Sequence, residues 1–363
     1  MEEKILKLGI VGAGRGRALG HAIRNEKNAK IVCLCDRSDK VIQEAIAVYD
    51  RFNITGYDIY HDYEEMLAKA DINTVVVATD KPLHTEHVIM ALRAGKHVIS
   101  EVPAVTTIED AKRLKAEVLA HPELKYMMAE NCCYWALIDS WKKMREQGKL
   151  GEIVYAEAEY IHPTHPDEIT APTPEGAKHW RLNTQAISYL THELGPLLMA
   201  MDDRCVSVTC MEPDIQYNPY RTKASVGVAL FKTAKGAVIR ILINFGSFAG
   251  YDHNYALYGT RGTVMTDKSK PTDADSVCFG QFYDIPGSFG NPITIPVGTA
   301  YPGESTEGHG GAEIKMMRHF IDCILNDKQP VQDIDFALKV SLPGVIAEMS
   351  AQQGGIPLEI PEI

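Results

Sequence analysis

LKLGIVGAGRGR (residues 6–17) decides how the chain is read. The apolar run 6-LKLGIVG-12 reads as a buried strand, and glycines 12, 14 and 16 carry it into the helix-like segment 17-RALGHAIRN-25. Glycine at such a turn lets backbone approach a pyrophosphate, which then rests on the N–H groups and positive dipole of the helix start. The spacing is G-x-G-x-G, with Arg17 where G-x-G-x-x-G would place its third glycine. Asp36 closes the second strand, 30-KIVCLCD-36, 22 residues after Gly14. A carboxylate there accepts from the adenosine ribose hydroxyls and repels a 2′-phosphate, so it favours NAD over NADP; Arg37, next in line, works against that preference. Gly12, Gly14, Arg15, Gly16, Arg17, Asp36 and Arg37 form the expected cofactor set. Glycines serving packing alone are the bland alternative, and strand, glycines, helix and acid falling in register argue against it.

Working outward, residues 1–130 alternate short apolar strands with amphipathic helices, the pattern of a parallel, doubly wound sheet. Further strands are expected at 74-TVVVAT-79, 97-HVIS-100 and 125-KYMMAE-130, and helices at 39–52, 85–95 and 107–120. Apolar residues recur in those helices at i, i+3 and i+4. Residues 131–363 have another texture. The helix 136-ALIDSWKKMREQG-148 precedes long alternating strands at 152–162, 204–211, 224–232, 236–245 and 254–267. Alternation over that length predicts a large, mostly antiparallel open sheet with one exposed face. Residues 270–308, rich in Gly, Pro and Thr, read as irregular loop, and 311-GAEIKMMRHFIDCILND-327 reads as a helix. The expectation is an α/β chain of two domains: an N-terminal Rossmann dinucleotide-binding domain over 1–130 and an α/β substrate-binding and oligomerisation domain over 131–363.

Bulk properties narrow the class. The chain has 363 residues and a net charge of −11, with no basic face of the kind nucleic-acid binding needs. No run approaches the ~20 apolar residues of a membrane span. The 8 cysteines include no CxxC and do not read as a disulfide or thiolate-zinc framework, which points to a reducing, cytoplasmic setting.

Two loops at the carboxyl ends of parallel strands are positioned to line a ligand crevice. One, 78-ATDKPLHTEHV-88, holds Thr79 and His84; the other, 98-VISEVPA-104, holds Glu101. Here the chain resembles the Gfo/Idh/MocA oxidoreductases, which carry TPN-x-x-H and then AGKHV-x-x-EKP. This sequence has 79-TDKPLH-84 and 94-AGKHVISEVP-103. In the second domain, 179-HWRLNTQAISYLTHELGP-196 is similar to the family's WR…D-x-G-x-H segment. The resemblance implies NAD and hydride transfer from a sugar or polyol carbon, with Thr79, His84, Glu101 and Arg181 on the cofactor side. It also implies a homo-oligomer. The family's proton-handling lysine falls on Val102 and its aspartate on Ser188, leaving His192. A valine transfers no proton, and a positioned acid/base is worth roughly a hundred- to ten-thousandfold.

Glu–Val in place of Glu–Lys, 189-YLTHELGP-196, the strand end 160-YIH-162, 127-MMAEN-131 and 309-HGG-311 are similar to one branch of that family, the NAD-dependent α-N-acetylgalactosaminidases. That resemblance makes His192 the principal acid/base, with Tyr189 and Tyr160 assisting, and His162, Lys178, Trp180 and His309 contacts for a carbohydrate or glycoside. The implied chemistry is oxidation of a pyranose ring hydroxyl, at carbon 3, by NAD. A redox-neutral hydrolysis is the alternative: the same oxidation, then elimination, water addition and re-reduction. A non-catalytic NAD-binding regulatory protein is the third reading. His162, His165, His179 and His192 lack the i, i+4 helical spacing of a zinc protease site, and no metal is expected.

Overall fold

The computed structural model describes residues 5–166, 180–269, 278–295 and 307–363. In chain order the first elements are β1 (Leu6–Val11), α1 (Ala13–Ala22), β2 (Ala29–Cys35), α2 (Asp39–Arg51), β3 (Asp58–Tyr60), α3 (Tyr63–Lys69), β4 (Thr74–Val77), α4 (His84–Arg93), β5 (His97–Ser100), α5 (Ile108–Ala120) and β6 (Tyr126–Met128). There follow α6 (Ala136–Glu146), β7 (Ile153–Ile161), α7 (Thr191–Met201), β8 (Cys205–Met211), β9 (Val226–Thr233), β10 (Val238–Asn244), β11 (Asp252–Gly259), β12 (Gly262–Thr266), β13 (Cys278–Phe282) and β14 (Ile293–Ile295). The chain closes with α8 (Glu307–Leu325), α9 (Ile334–Gln352) and β15 (Leu358–Glu359).

The chain divides into two compact units. One comprises residues 1–130, 311–338 and 363; the other comprises 131–310 and 339–362. Residues 311–338 thus pack with the first unit, although the expected second domain runs over 131–363. The contacts give the reason. On α8, Glu313 receives the Arg15 guanidinium at 3.1 Å, while Arg318 reaches Glu26. Beyond α8, the Gln332 carbonyl accepts from Met128 N–H at 2.9 Å and its side chain donates to the Glu130 carbonyl at 2.8 Å.

The first unit holds a six-stranded parallel sheet in the order β3-β2-β1-β4-β5-β6, the Rossmann arrangement. Its central strands are buried on both faces: Val75, Val76 and Val77 are all fully enclosed, as covering helices on both sides require. α2, α3 and α5 begin with side-chain caps from Ser38, Asp62 and Thr107. α1 begins at Ala13, four residues before the expected helix, because two of the glycines that read as loop lie within it. A Cβ on Gly16 would meet Ile10 Cγ2 at 2.4 Å, and one on Gly20 would meet the Tyr49 hydroxyl at 2.0 Å, so these glycines let α1 lie against β1 and α2.

The second unit holds a nine-stranded sheet in the order β14-β13-β12-β11-β7-β10-β9-β8-β15, antiparallel except for β7 beside β10. On β7 the even residues Ala156, Ala158 and Tyr160 are buried. Glu157 and Glu159 lie on the opposite face with Arg240 and Lys268. The expected strand 254–267 is two strands, β11 and β12, joined by a tight turn at 259–262. The stretch 270–308 is not wholly loop, since β13 and β14 pair within it. All eight cysteines are free and buried. Among the described residues no helix is long and apolar enough to cross a membrane.

Candidate active site

In the first unit the glycine turn follows β1 directly. Gly12 has φ 86°, and a Cβ there would lie 2.3 Å from the Ala78 carbonyl oxygen, so only glycine fits. Gly14 differs: its nearest neighbour to an added Cβ is Val41 Cγ1 at 3.5 Å, ordinary contact. Packing does not require glycine at 14, whereas close approach of a pyrophosphate does. The Asp36 carboxylate sits against this turn, one oxygen accepting from Ala13 N–H at 3.0 Å and the other from Ser38 N–H at 3.0 Å. These groups fit the adenosine half of NAD: a helix start, an open glycine surface, and a carboxylate at the end of β2.

The other predicted cofactor residues fall into three groups. Arg15 is drawn to acids, donating to Glu101 at 2.7 Å and to Glu313 at 3.1 Å. Arg17 lies further along α1 and pairs with Glu44 of α2 at 3.4 Å, while Arg37 is exposed beside Asp36. Arg17 is thus held on the helix surface and not at the turn. His84 is enclosed, its ring nitrogens 2.8 Å from the Pro103 and Thr79 carbonyls, and burial pulls its pKa down. It ties together the loops after β4 and β5. Thr79 keeps its hydroxyl 3.0 Å from His87 Nδ1. Val102, at 3% exposure, is core.

The second unit gathers rings around Tyr160. His253 stacks on it at 4.5 Å, with Tyr189, His192, His162, Phe245 and Tyr251 between 5.6 and 6.1 Å. Strand register does this: His253 lies directly across from Tyr160 in the β11–β7 pair. At 4% exposure the Tyr160 phenol is pushed well above its usual pKa by burial and then by Tyr189, so it keeps its proton. The ring predicted to assist in proton transfer is the hub of the cluster, suited to donate a hydrogen bond.

His192 is better placed for that transfer. It stands in the first turn of α7, half-buried, with Nε2 3.3 Å from the Tyr189 hydroxyl and Nδ1 3.7 Å from Cys132 Sγ. Its carbonyl accepts from the Tyr255 hydroxyl at 2.6 Å, which fixes the backbone. Ser188, at the family's aspartate position, turns its hydroxyl to the Gln185 carbonyl at 2.9 Å. Burial, then the Arg181 charge, lowers His162 to about 4, so the ring is neutral at physiological pH.

Arg181 spreads over the rings of Tyr189 and Phe245 at 5.8 and 5.9 Å. It is presented by Arg221, which the sequence reading missed. That buried guanidinium donates to the carbonyls of Arg181, Thr184 and Ala224 at 2.7, 2.7 and 3.0 Å. His309 begins a run of left-handed residues with Gly310 and Gly311, and its carbonyl accepts from Trp135 Nε1 at 3.1 Å. Lys178 lies outside the described residues, as does His179. Trp180 opens the short 3₁₀ turn Trp180–Asn183.

Comparison with known proteins places the chain. Residues 6–128 match the oxidoreductase family, NAD-binding Rossmann fold, of the Gfo/Idh/MocA type, and residues 138–265 match the Gfo/Idh/MocA C-terminal domain. The chain belongs to the Gfo/Idh/MocA oxidoreductase family, and its first unit is an NAD-binding Rossmann domain. A glycosyl hydrolase family 109 protein of Solibacter usitatus is 28% identical over 98% of this chain and 88% of that protein. Among solved structures, an oxidoreductase domain protein from Kribbella flavida superposes with a TM-score of 0.84 at 20% identity, covering 99% of this chain and 100% of that one. Levoglucosan dehydrogenase in complex with NADH and levoglucosan gives 0.82 at 19% identity, covering 98% and 100%.

Proposed function

We propose that this enzyme oxidises a ring hydroxyl, at carbon 3, of a pyranose or glycoside, using NAD held by the glycine turn and Asp36. The observation that carries the reading is the Tyr189–His192 pair in a ring-lined cluster, on a chain whose family binds NAD. When bound, NAD supplies a hydride acceptor. The hydroxyl proton must leave as the hydride does, and the His192 imidazole, oriented by Tyr189 and by the clamp on its carbonyl, takes it. Tyr160 donates from the floor of the cluster. Arg181, His162, Lys178, Trp180 and His309 are assigned to the substrate or to the nicotinamide ribose.

A second reading is redox-neutral hydrolysis. It is favoured by the relative named as a family 109 glycosyl hydrolase, which aligns with 98% of this chain. Oxidation at carbon 3 acidifies the hydrogen at carbon 2, and elimination of the aglycone, addition of water and re-reduction complete the cycle. Self-association belongs to the same proposal, supported by the apolar residues Val154, Val228, Leu230 and Val238 exposed on the open sheet. A cytoplasmic setting is supported by eight free cysteines.

The test is a panel of O- and C-glycosides followed for both NADH absorbance and aglycone release. Net NADH supports oxidation; aglycone without net NADH supports hydrolysis. NAD binding with no turnover of any glycoside, and no difference between wild type and His192→Ala, refutes both.

A further inference from the structure

A second hydrogen-bonded line lies beside Tyr160, its His253 ring 4.5 Å from Tyr160 and 6.2 Å from His192. Glu193, on the first turn of α7, is fully buried, with a carboxylate oxygen 2.7 Å from His253 Nδ1. The His253 ring is 1% exposed, and its Nε2 lies 2.8 Å from the Tyr251 hydroxyl. Tyr251 is 44% exposed. The three groups thus run as one hydrogen-bonded line from the protein interior to a partly exposed tyrosine. Tyr251 and His253 are two residues apart on extended chain, which puts them on one face. Tyr255, two further on, clamps the His192 carbonyl, so β11 holds the start of α7 at two first-turn residues, His192 and Glu193.

We propose that Glu193, His253 and Tyr251 form a proton relay ending at the Tyr251 hydroxyl, and that this relay is an alternative route, in place of His192, for the single hydroxyl proton released from the pyranose. The inference rests on the proposed pyranose oxidation. The Glu193 carboxylate accepts from Nδ1–H and leaves Nε2 to accept from the phenol. In the step, the substrate O–H bond breaks as its proton passes to the Tyr251 oxygen. Tyr251's own O–H breaks as its proton passes to Nε2, while the C–H hydride leaves to NAD. The proton ends on His253 as an imidazolium against the Glu193 carboxylate, the arrangement by which an acid stabilises the histidine of a catalytic triad. Return of that proton serves the reverse reduction. Tyr251 is the catalytic residue; His253 and Glu193 are positioning residues acting through it.

The surroundings hold the resting state of this line. Burial keeps His253 neutral, and His192, His309 and His162 press in the same direction. Burial raises the Tyr251 phenol, as do Cys132, Glu193 and Tyr189, while Arg181 opposes them. Tyr160 and Trp135 hold the imidazole by stacking at 4.5 Å and edge-on at 5.2 Å.

Two measurements on the full chain test this. Nitrogen-15 NMR of histidine-labelled protein, without substrate, reads the His253 tautomer. The relay requires neutral Nδ1–H, with the Nε2 resonance shifting in Tyr251→Phe and the Nδ1 resonance in Glu193→Gln. An Nε2–H tautomer, or a ring indifferent to both changes, overturns it. The second measurement is steady-state NADH formation and aglycone release with 4-nitrophenyl glycosides, as a function of pH. Tyr251→Phe is expected to lower kcat ~100-fold or more with little change in KM. Glu193→Gln and His253→Gln are expected to lower it less, to move its pH profile, and to add nothing further in the Tyr251→Phe background. Losses that add, or a melting shift without a kcat or pH effect, mean a structural role only and overturn the relay. If wild type turns over no glycoside, the pyranose reading fails, and the relay fails with it as a base for that substrate; the NMR then still shows whether the hydrogen-bonded line exists.

Discussion

Replacing Gly14 with alanine separates a packing role for the glycine turn from a ligand role. Gly14 lies inside α1, and an added Cβ would meet only Val41 Cγ1, at 3.5 Å. A Gly→Ala change at an unstrained helical position stabilises by about 0.4–1 kcal/mol, chiefly by restricting the unfolded chain. At about 2–4 °C per kcal/mol, the cofactor-free protein should melt about 1–4 °C higher. If a pyrophosphate lies on this turn, the same methyl occupies its path. NAD affinity should then fall at least ~10-fold, equivalent to ~1.4 kcal/mol of binding. Circular-dichroism melts of the cofactor-free protein and calorimetric titration with NAD read the two effects independently. A variant that melts higher and binds NAD as well as wild type would refute the assignment of this turn to the cofactor. A variant that melts lower would refute the packing argument.

Gly12→Ala should behave oppositely. Its φ of 86° and the 2.3 Å approach to the Ala78 carbonyl make overpacking unavoidable, at about 1–3 kcal/mol plus about 1–2 for the left-handed backbone, read as a lower melt even without NAD. Gly227→Ala on β9 would push a Cβ to 2.6 Å from Ile187 Cβ and displace the turn that carries Tyr189. It should lower kcat in a glycoside assay while leaving NAD titration unchanged. His162 has a folded pKa of about 4 against 6.5, so the folded state binds fewer protons. Its stabilisation is present above about 6.5 and lost as pH falls through about 4, and urea midpoints of His162→Gln should be less acid-sensitive across that window. Glu212 is raised to about 7 from 4.5, first by burial, so its contribution is present below about 4.5 and lost as pH rises through about 7. Glu212→Gln should flatten the fall in stability across that range.

The cofactor half of the molecule was legible because its signals are local. Gly12, Asp36 and the strands around them lie close in sequence, and each has one physical reading. β3 and α3 were not foreseen, since Asp58–Tyr60 is a three-residue edge strand with no buried alternation. α9 escaped because it is apolar on nearly every side, with Pro343 inside it, so no amphipathic period marks it. The ring cluster was half legible. Resemblance pointed to Tyr160, Tyr189 and His192, which do come together. His253 and Tyr251 were missed because strand register alone brings them there, through the pairing of His253 with Tyr160; Glu193 sits beside His192 on α7, and Arg221 lies outside any helix or strand, where no periodicity marks it. The one local signal was 251-YDHNY-255, with Tyr, His and Tyr at every second residue, of which only 254 and 255 fall in the expected strand.

The central claim is that a hydride passes from a ring carbon of a pyranose to NAD on this chain. The most direct measurement uses glycosides deuterated at carbon 3, mixed with the NAD-loaded enzyme, quenched within one turnover and analysed by mass spectrometry of the cofactor. Reduced nicotinamide carrying one deuterium from the sugar is the expected product. Sugar turned over with the label retained and the cofactor unlabelled would contradict the claim.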